Sequence, residues 1–231
     1  MKKFGFLIFI GVLAVGMIAA IASPFGKLGS GTFEFHFSGI KGSGNVVTEK
    51  RDVGGYHAIE VGNAIQLDVV AQKDYALEIE TDDNIVPLIQ TEVDGGVLRI
   101  TCEKSIRNSS PIRVRIAAPN IDGIDASGAS NVTLANLSNS GLSVESSGAS
   151  KIKVGGTTSK LTVDISGASK IDAQDLVAET GSVETSGASS ASVNVTSSLR
   201  ADASGASKIN YSGAPKDVVK KSSGASSINA Q

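Results

Sequence analysis

The sequence predicts an all-β protein whose C-terminal half is a single-stranded β-helix, a solenoid of about 19–20 residues per coil, with a β-rich N-terminal portion. Three observations predict this fold class. The tetrapeptide Ser-Gly-Ala-Ser occurs six times, at intervals of 20, 19, 20, 18 and 19 residues, and a period near twenty indicates stacked supersecondary units. Apolar residues alternate with polar ones on both sides of each tetrapeptide, which is the pattern of a strand. No helical periodicity occurs in this half, so helical and leucine-rich repeats are excluded.

The N-terminal segment predicts export. Met1-Lys2-Lys3 is followed by 19 uncharged residues, Phe4 to Ala22, which end in the small-x-small sequence Ala20-Ile21-Ala22. This pattern is typical of a signal peptide over residues 1–22. A run of this length can also span a bilayer, so a retained N-terminal membrane anchor is the alternative. We therefore expect the protein in the periplasm or at the cell surface, or anchored in the inner membrane with its body facing the periplasm.

The rest of the chain divides into three parts. Residues 23–45 are rich in Gly and Ser and resemble a linker, although Thr32 to Phe37 alternate as in a short strand. Residues 46–119 contain several alternating segments separated by turn sequences, so this part is β-rich. The sequence leaves two topologies open for this part, a small sandwich or the first coils of the solenoid. The one short helical turn is expected between Asn84 and Thr91. Residues 120–231 carry the repeats.

Each tetrapeptide predicts a corner of the solenoid. A sharp bend needs a residue that tolerates positive φ, which glycine does without a Cβ penalty. Stacked strands lie about 4.8 Å apart, so equivalent residues should form columns. We expect the alanine to point inward and the serine hydroxyls to bond to the backbone or to the next layer. The corner glycines are Gly128, Gly148, Gly167, Gly187, Gly205 and Gly224.

An acidic residue lies two positions before the first serine in five of the six repeats. These candidate binding residues are Asp125, Glu145, Asp164, Glu184 and Asp202, and the sixth repeat has Lys221 instead. When the coils stack, these acidic side chains should form an outward-facing ladder of like charges, which repel one another. Lys151, Lys170 and Lys208, across the corner, are one source of compensating charge. Bound Ca²⁺ is the other, because carboxylate oxygens suit this ion.

Enzymatic chemistry finds no support in the sequence, and we predict no catalytic residue, metal site or required cofactor. The two histidines, His36 and His57, lie outside any nucleophile or metal motif. No Gly-x-Ser-x-Gly elbow is present, and the narrow range of coil lengths leaves no long loops to form a cleft. Cys102 is predicted to be a small buried strand residue. A formal net charge of −2 gives no basic surface for nucleic acid.

The repeats place Ser, Lys and acidic side chains in regular outward-facing rows that contain no catalytic group. Such rows favour a binding or adhesion module whose partner is a glycan, a lipid or a protein of the cell envelope. The alternative is a structural scaffold protein that assembles as a homo-oligomer. Contact with the membrane is expected only through an uncleaved N-terminal segment.

A family resemblance agrees with this interpretation. It rests on the run from Lys50 to Val61 (KRDVGGYHAIEV), on Asp83-Asn84, on Gly95 to Ile100 (GGVLRI), on Pro119 and on the Ser-Gly-Ala-Ser series. Together these segments, over roughly residues 46 to 229, resemble the head GIN domain family, which is described as the head of autotransporter adhesins. The resemblance implies an exported β-helical protein with adhesion as its assigned role, and it supplies no catalytic residues.

Overall fold

The computed structural model describes residues 39–107 and 109–231. The predicted signal peptide or anchor, and the predicted linker up to residue 38, lie outside this range. The described chain is all-β and forms a solenoid of about five turns. Its strands are β1 (Ile40–Lys41), β2 (Val46–Arg51), β3 (Ala58–Val61), β4 (Gln66–Ala71), β5 (Ala76–Asp82), β6 (Ile89–Asp94), β7 (Val97–Cys102), β8 (Ile106–Arg107), β9 (Arg113–Ala118), β10 (Gly123–Ala126), β11 (Asn131–Ser146), β12 (Lys151–Ile165), β13 (Lys170–Thr185), β14 (Ser190–Ala203), β15 (Lys208–Ser212), β16 (Asp217–Ser222) and β17 (Ser227–Ala230).

The repeats form parallel layers in register. Strands β10 to β17 pair only with parallel neighbours one coil away, and each tetrapeptide turns the chain within its layer. Alternation decides which side chains enter the core, because successive residues of a strand point to opposite faces. One inward column consists of Ile124, Val144, Val163, Val183 and Ala201, all of which are buried. The predicted β-helix is confirmed.

Residues 46–119 supply both opening layers and closing strands. Strands β3 and β4 stack directly beneath β10 and β11. Strands β7 and β9 lie one layer further out, although they come later in the chain. Beyond them β6 pairs antiparallel with β7, β5 pairs antiparallel with β9, and β2 pairs with β5. These antiparallel strands cover this end of the solenoid, and a short 3-10 turn, Val86–Leu88, lies between β5 and β6, within the segment that the sequence indicated.

The corner glycines lie in one column. A Cβ on Gly148 would stand 2.5 Å from the carbonyl oxygen of Gly128, and the same contact recurs from each of the six glycines to the layer before it at 2.5 to 2.8 Å. Each also has a positive φ, between 72° and 81°. The alanine after each glycine donates its backbone N–H to the previous layer's corner carbonyl at 2.7 or 2.8 Å. Only glycine meets both requirements at once.

The expected direction of the corner alanine is wrong. Ala129, Ala149 and Ala168 are exposed, and the serine that follows each of them is buried instead. The left-handed glycine shifts the alternation so that the second serine, and not the alanine, faces the interior. Its hydroxyl then satisfies carbonyls of the corner: Ser130 Oγ donates to the oxygen of Ser127 at 2.9 Å, and Ser189 Oγ to that of Ser186 at 2.8 Å. A hydrogen-bonded hydroxyl is thus tolerated in the core.

Candidate functional site

The outward residue two positions before each corner forms one continuous column. The strand registers place Glu60 beside Asp125, and the column continues through Glu145, Asp164, Glu184 and Asp202. The five predicted acids are therefore joined by a sixth, Glu60. Successive layers lie about 4.8 Å apart, so every carboxylate in the column has like-charged neighbours. We call these six residues the acid column.

A cation closes each end of the acid column. Arg99, in register with Glu60, donates from Nε to Glu60 Oε2 at 2.9 Å. At the other end Lys221 Nζ lies 3.2 Å from Asp202 Oδ2. The four middle carboxylates, Asp125, Glu145, Asp164 and Glu184, have no ion-pair partner among the residues that the structure describes. The column therefore has neutralised ends and an uncompensated centre.

The corner lysines do not compensate the centre. Lys151 and Lys170 lie beside each other in register, one coil apart, in a column of their own, which continues through Ser190 to Lys208. No ion pair found within residues 39–107 and 109–231 joins them to the acid column. At Asp125 the folded state disfavours the ionised carboxylate. Desolvation by the adjoining layers, followed by the charges of Glu145 and Glu60, raises the pKa of the Asp125 carboxyl above its ordinary value.

A groove runs along the C-terminal half of the acid column. Its volume is about 340 Å³. Carboxylates of Asp164, Glu184 and Asp202 line it, together with hydroxyls of the first corner serines, Ser186, Ser204 and Ser223, and Lys221 closes it. Carboxylates accept hydrogen bonds, while hydroxyls both donate and accept. The groove thus presents a repeated pattern of charged acceptors and hydroxyls, suited to a ligand that carries ammonium or hydroxyl groups.

The acid column offers few oxygen ligands to any one metal ion, because it has one carboxylate in each layer. An ion between two layers would meet one carboxylate from each, whereas Ca²⁺ takes six to eight oxygen ligands. Throughout the part of the chain that the structure describes, no group of three or more His, Cys, Asp or Glu side chains is arranged to hold a metal ion. Bridging of neighbouring carboxylates by Ca²⁺ stays a prediction.

The remaining chemically notable residues lie apart from the groove. His57 is exposed and its Nδ1 lies 2.8 Å from Asp122 Oδ1, an arrangement that links two adjoining layers. Cys102 is a buried free cysteine whose Sγ donates to the carbonyl oxygen of Lys104 at 3.5 Å. His36 lies outside the described residues. Of the described residues, His57 pairs with Asp122 and Cys102 with the backbone of Lys104, so the two do not form a nucleophile–base pair.

Sequence reasoning missed two members of the site, Glu60 and Arg99, which precede the first recognisable repeat. Lys221 was noted as the exception to the acid pattern, but its pairing with Asp202 was not predicted. A signal for Glu60 does exist: Asn63 stands in the glycine column with a φ of 66°, and Glu60 precedes it by three residues, as each acid precedes its glycine. Asn is the non-glycine residue that adopts this conformation most readily.

Solved structures share this fold. One, described as a "putative adhesin" from Bacteroides fragilis, is 24% identical and matches over 84% of this chain and 100% of its own length, with a TM-score of 0.71. A "putative adhesin" from Parabacteroides merdae is 18% identical over 83% of this chain and 98% of its own, with a TM-score of 0.55. A "putative lipid binding protein" from Parabacteroides distasonis is 20% identical over 83% and 99%, with a TM-score of 0.52.

Three further findings concern curated proteins, membrane-spanning helices and the protein family. A comparison with curated proteins found no match. Within the described ranges, no helix has the length and apolar character needed to cross a bilayer. The family model described as "Putative auto-transporter adhesin, head GIN domain" matches residues 55–215, which is well over half of the chain, and this chain therefore belongs to that family.

Proposed function

We propose that this chain is an exported binding protein of the cell envelope, of adhesion type and without catalytic activity, and that the acid column is its binding face. The observation that carries the proposal is the run of four consecutive carboxylates without ion-pair partners, from Asp125 to Glu184, within the described part of the chain. Uncompensated like charges disfavour the unbound state, and a ligand that supplies donors or positive charge relieves the repulsion.

The geometry favours an extended, repetitive ligand. Carboxylates recur once per layer beside the first corner serines, so the same contact can be made several times along one groove. Several weak contacts on one ligand raise its overall affinity far above that of a single contact. A glycan chain, a lipid surface or a protein of the envelope could each provide such repeated groups. Membership of an adhesin family supports a binding role of this kind.

Binding to isolated cell envelopes tests the proposal. The purified protein is compared with a variant in which the groove carboxylates are neutralised, Asp164→Asn/Glu184→Gln/Asp202→Asn. The matched control neutralises three charges of the lysine column, Lys151→Gln/Lys170→Gln/Lys208→Gln. We expect the wild type and the lysine variant to bind, and the acid variant to lose at least about tenfold in affinity, which corresponds to roughly 1.4 kcal/mol.

The possible failures separate two parts of the proposal. Absence of binding by the wild type would refute the adhesion role itself. Equal binding by the wild type and the acid variant would leave an adhesion role but exclude the groove carboxylates Asp164, Glu184 and Asp202 as its face. Export has its own measurement, since cell fractionation with N-terminal sequencing of the mature protein shows whether residues 1–22 are removed; a cytoplasmic protein would refute it.

A further inference from the structure

The corners of the solenoid are joined by a continuous chain of hydrogen-bonded peptide groups. At each corner the N–H of the alanine donates to the corner carbonyl oxygen of the layer beneath, at 2.7 or 2.8 Å. That N–H and the carbonyl of the preceding glycine belong to one peptide group, so each group donates to the layer beneath and accepts from the layer above. The chain of peptide groups runs from Asn63–Ala64 to Gly224–Ala225.

At its lower end, this chain of peptide groups stops at an unpaired donor. Ala64 holds the position that alanine holds in the layers above, because it follows Asn63, whose φ of 66° resembles the 72° of Gly128. Among the residues that the structure describes, no backbone carbonyl accepts the N–H of Ala64. The bend directs this N–H toward the layer beneath, to the place where a further corner carbonyl would lie.

The layer beneath Ala64 makes no corner that could supply the acceptor. Gly62 donates its N–H to the carbonyl oxygen of Ile100 at 3.3 Å, and Gln66 donates to that of Ile112 at 2.9 Å. The bend is therefore paired with this layer on both sides of Ala64. In the layers above, a single tetrapeptide makes the bend, whereas here the chain between the two acceptors leaves the layer and pairs through β8 with β1. This excursion leaves a space beneath Ala64.

The space beneath Ala64 is a pocket of about 280 Å³. Its apolar walls come from Cys102, Ile106 and Ile112. Ala64 and Lys104 also line it, and of the residues that the structure describes no Asp or Glu does. Ligand sites typically combine apolar walls with a few polar groups that fix the orientation of the ligand. The pocket thus has the composition of a site for a small ligand.

Both polar groups of the pocket favour an anion. Peptide groups that hydrogen-bond head to tail align their dipoles, and such a row carries partial positive charge at its N–H end, as a helix does at its N-terminus. Ala64 is that end of the row. Lys104 has no ion-pair partner within the described ranges, and its ammonium group lies on a flexible stem that can reach a bound anion.

We propose that this pocket binds a short aliphatic carboxylate. One carboxylate oxygen takes the place of the missing corner carbonyl and accepts the N–H of Ala64, while the ammonium group of Lys104 pairs with the other oxygen. The aliphatic tail packs against Ile106 and Ile112, and the small volume of the pocket restricts it to a few carbon atoms. The pocket shares no residue with the acid column, so this site is additional to the proposed envelope-binding face.

A nuclear magnetic resonance titration tests the pocket with hexanoate as the probe. In the isotope-labelled protein, in the form in which the cell produces it, hexanoate should shift the amide resonance of Ala64 in a saturable way. We expect a dissociation constant of about 10 mM or lower, since the ligand is small. Hexanamide has the same tail and a carbonyl oxygen but no charge, and acetate has the charge but almost no tail. Each should bind at least about tenfold more weakly than hexanoate.

A substitution at Lys104 tests the charge of the pocket. Lys104→Gln should weaken the binding of hexanoate about threefold, because the pair that it removes is partly exposed to solvent. Lys151→Gln is the matched control, since it removes the same charge from the side wall of the solenoid, and it should leave the binding of hexanoate unchanged.

The outcomes that would overturn the proposal are distinct from one another. Without a saturable shift at Ala64, the pocket is not a carboxylate site. Equal binding of hexanoate and hexanamide would show that the pocket recognises a carbonyl group and not an anion, and unchanged binding by Lys104→Gln would exclude the ion pair. N-acetylleucine represents the C-terminus of a peptide and should bind more weakly than hexanoate. Tighter binding of N-acetylleucine would assign the pocket to a peptide and overturn the aliphatic ligand.

Discussion

The carbonyl oxygen of Asn63 lies 2.6 Å from the point where a Cβ on Gly128 would stand. Both residues have positive φ, 66° for Asn63 and 72° for Gly128, and the N–H of Ala129 donates to the same oxygen at 2.7 Å. This contact begins the column that passes through every corner glycine. Stacking of the corners, and with it the alignment of the acid column, therefore depends on backbones that approach without side chains between them.

Replacing a corner glycine should destabilise the fold strongly. In Gly167→Ala, an alanine in the left-handed region costs about 1–2 kcal/mol, and its Cβ would in addition press on the carbonyl oxygen of Gly148, 2.5 Å away. We expect a loss of at least about 2 kcal/mol in the free energy of unfolding, measured by urea denaturation. Gly141→Ala is the control, because the nearest atom to its Cβ is 3.9 Å away and it should cost little. Equal losses for the two variants would contradict the column.

Asn63 should tolerate glycine better than alanine. Its side chain pairs with the backbone of Cys102: Nδ2 donates to the carbonyl oxygen at 3.0 Å, and Oδ1 accepts the N–H at 3.3 Å. Asn63→Gly loses these bonds but keeps the positive φ, whereas Asn63→Ala loses both advantages. Thermal denaturation should rank the wild type above Asn63→Gly and Asn63→Ala last. The reverse order of the two variants would show that the corner does not require this conformation.

Neutralising Asp125 should stabilise the protein at neutral pH. Its pKa is raised in the folded state, by desolvation and then by Glu145 and Glu60, so the folded state binds a proton more readily than the unfolded state does. The ionised carboxylate therefore lowers stability above its raised pKa, and this cost disappears as the pH falls below the ordinary value of 3.8.

The measurement is the melting temperature of Asp125→Asn against that of the wild type across this range of pH. At about pH 7, above the raised pKa of Asp125, the variant should melt at a higher temperature than the wild type. At about pH 3, below the ordinary pKa, the difference should vanish. Asp172→Asn, whose register neighbour is Lys153, serves as the control and should not be stabilised. A lower melting temperature for Asp125→Asn at pH 7 would contradict the conclusion that the folded state disfavours the ionised Asp125 carboxylate.

Lys220 should keep the open end of the solenoid from associating. It is in register with Ala201 of an inward apolar column, and its Nζ lies 4.6 Å from the centre of the Tyr211 ring. Lys220→Val would extend the apolar column to the unpaired edge of β16 and remove a charge from it. Light scattering should show more association than for the wild type, while Lys151→Val, on the side wall, should not. Scattering equal to that of the wild type would refute this role.

Much of the solenoid could be predicted because its constraint is local and repeated. A glycine with positive φ and a close approach of backbones is required at every layer, so the tetrapeptide recurs and reveals the period. Once the period is known, the outward acids from Asp125 to Asp202 follow by counting. The direction of the corner alanine could not be predicted in this way, because a left-handed residue changes which of its neighbours faces inward.

The N-terminal layers were not predictable for a different reason. There the order of the layers differs from the order of the strands in the chain, because β7 and β9 lie beneath β3 and β4. This order is determined by strand pairing between residues that are far apart in the sequence. Strands β5 and β6 alternate like the others, yet they run antiparallel and cover the end. Glu60 and Arg99 were missed as members of the acid column because the corner beside them is built on Asn63 instead of glycine.

Salt dependence of binding tests the role of the acid column most directly. If repeated carboxylates hold the ligand, the affinity of the protein for cell envelopes should fall steadily as ionic strength rises, because exposed charges are screened. The variant Asp164→Asn/Glu184→Gln/Asp202→Asn should bind more weakly and show a shallower dependence on salt. Equal affinity and equal salt dependence for the two proteins would contradict the assignment of the acid column as the binding face.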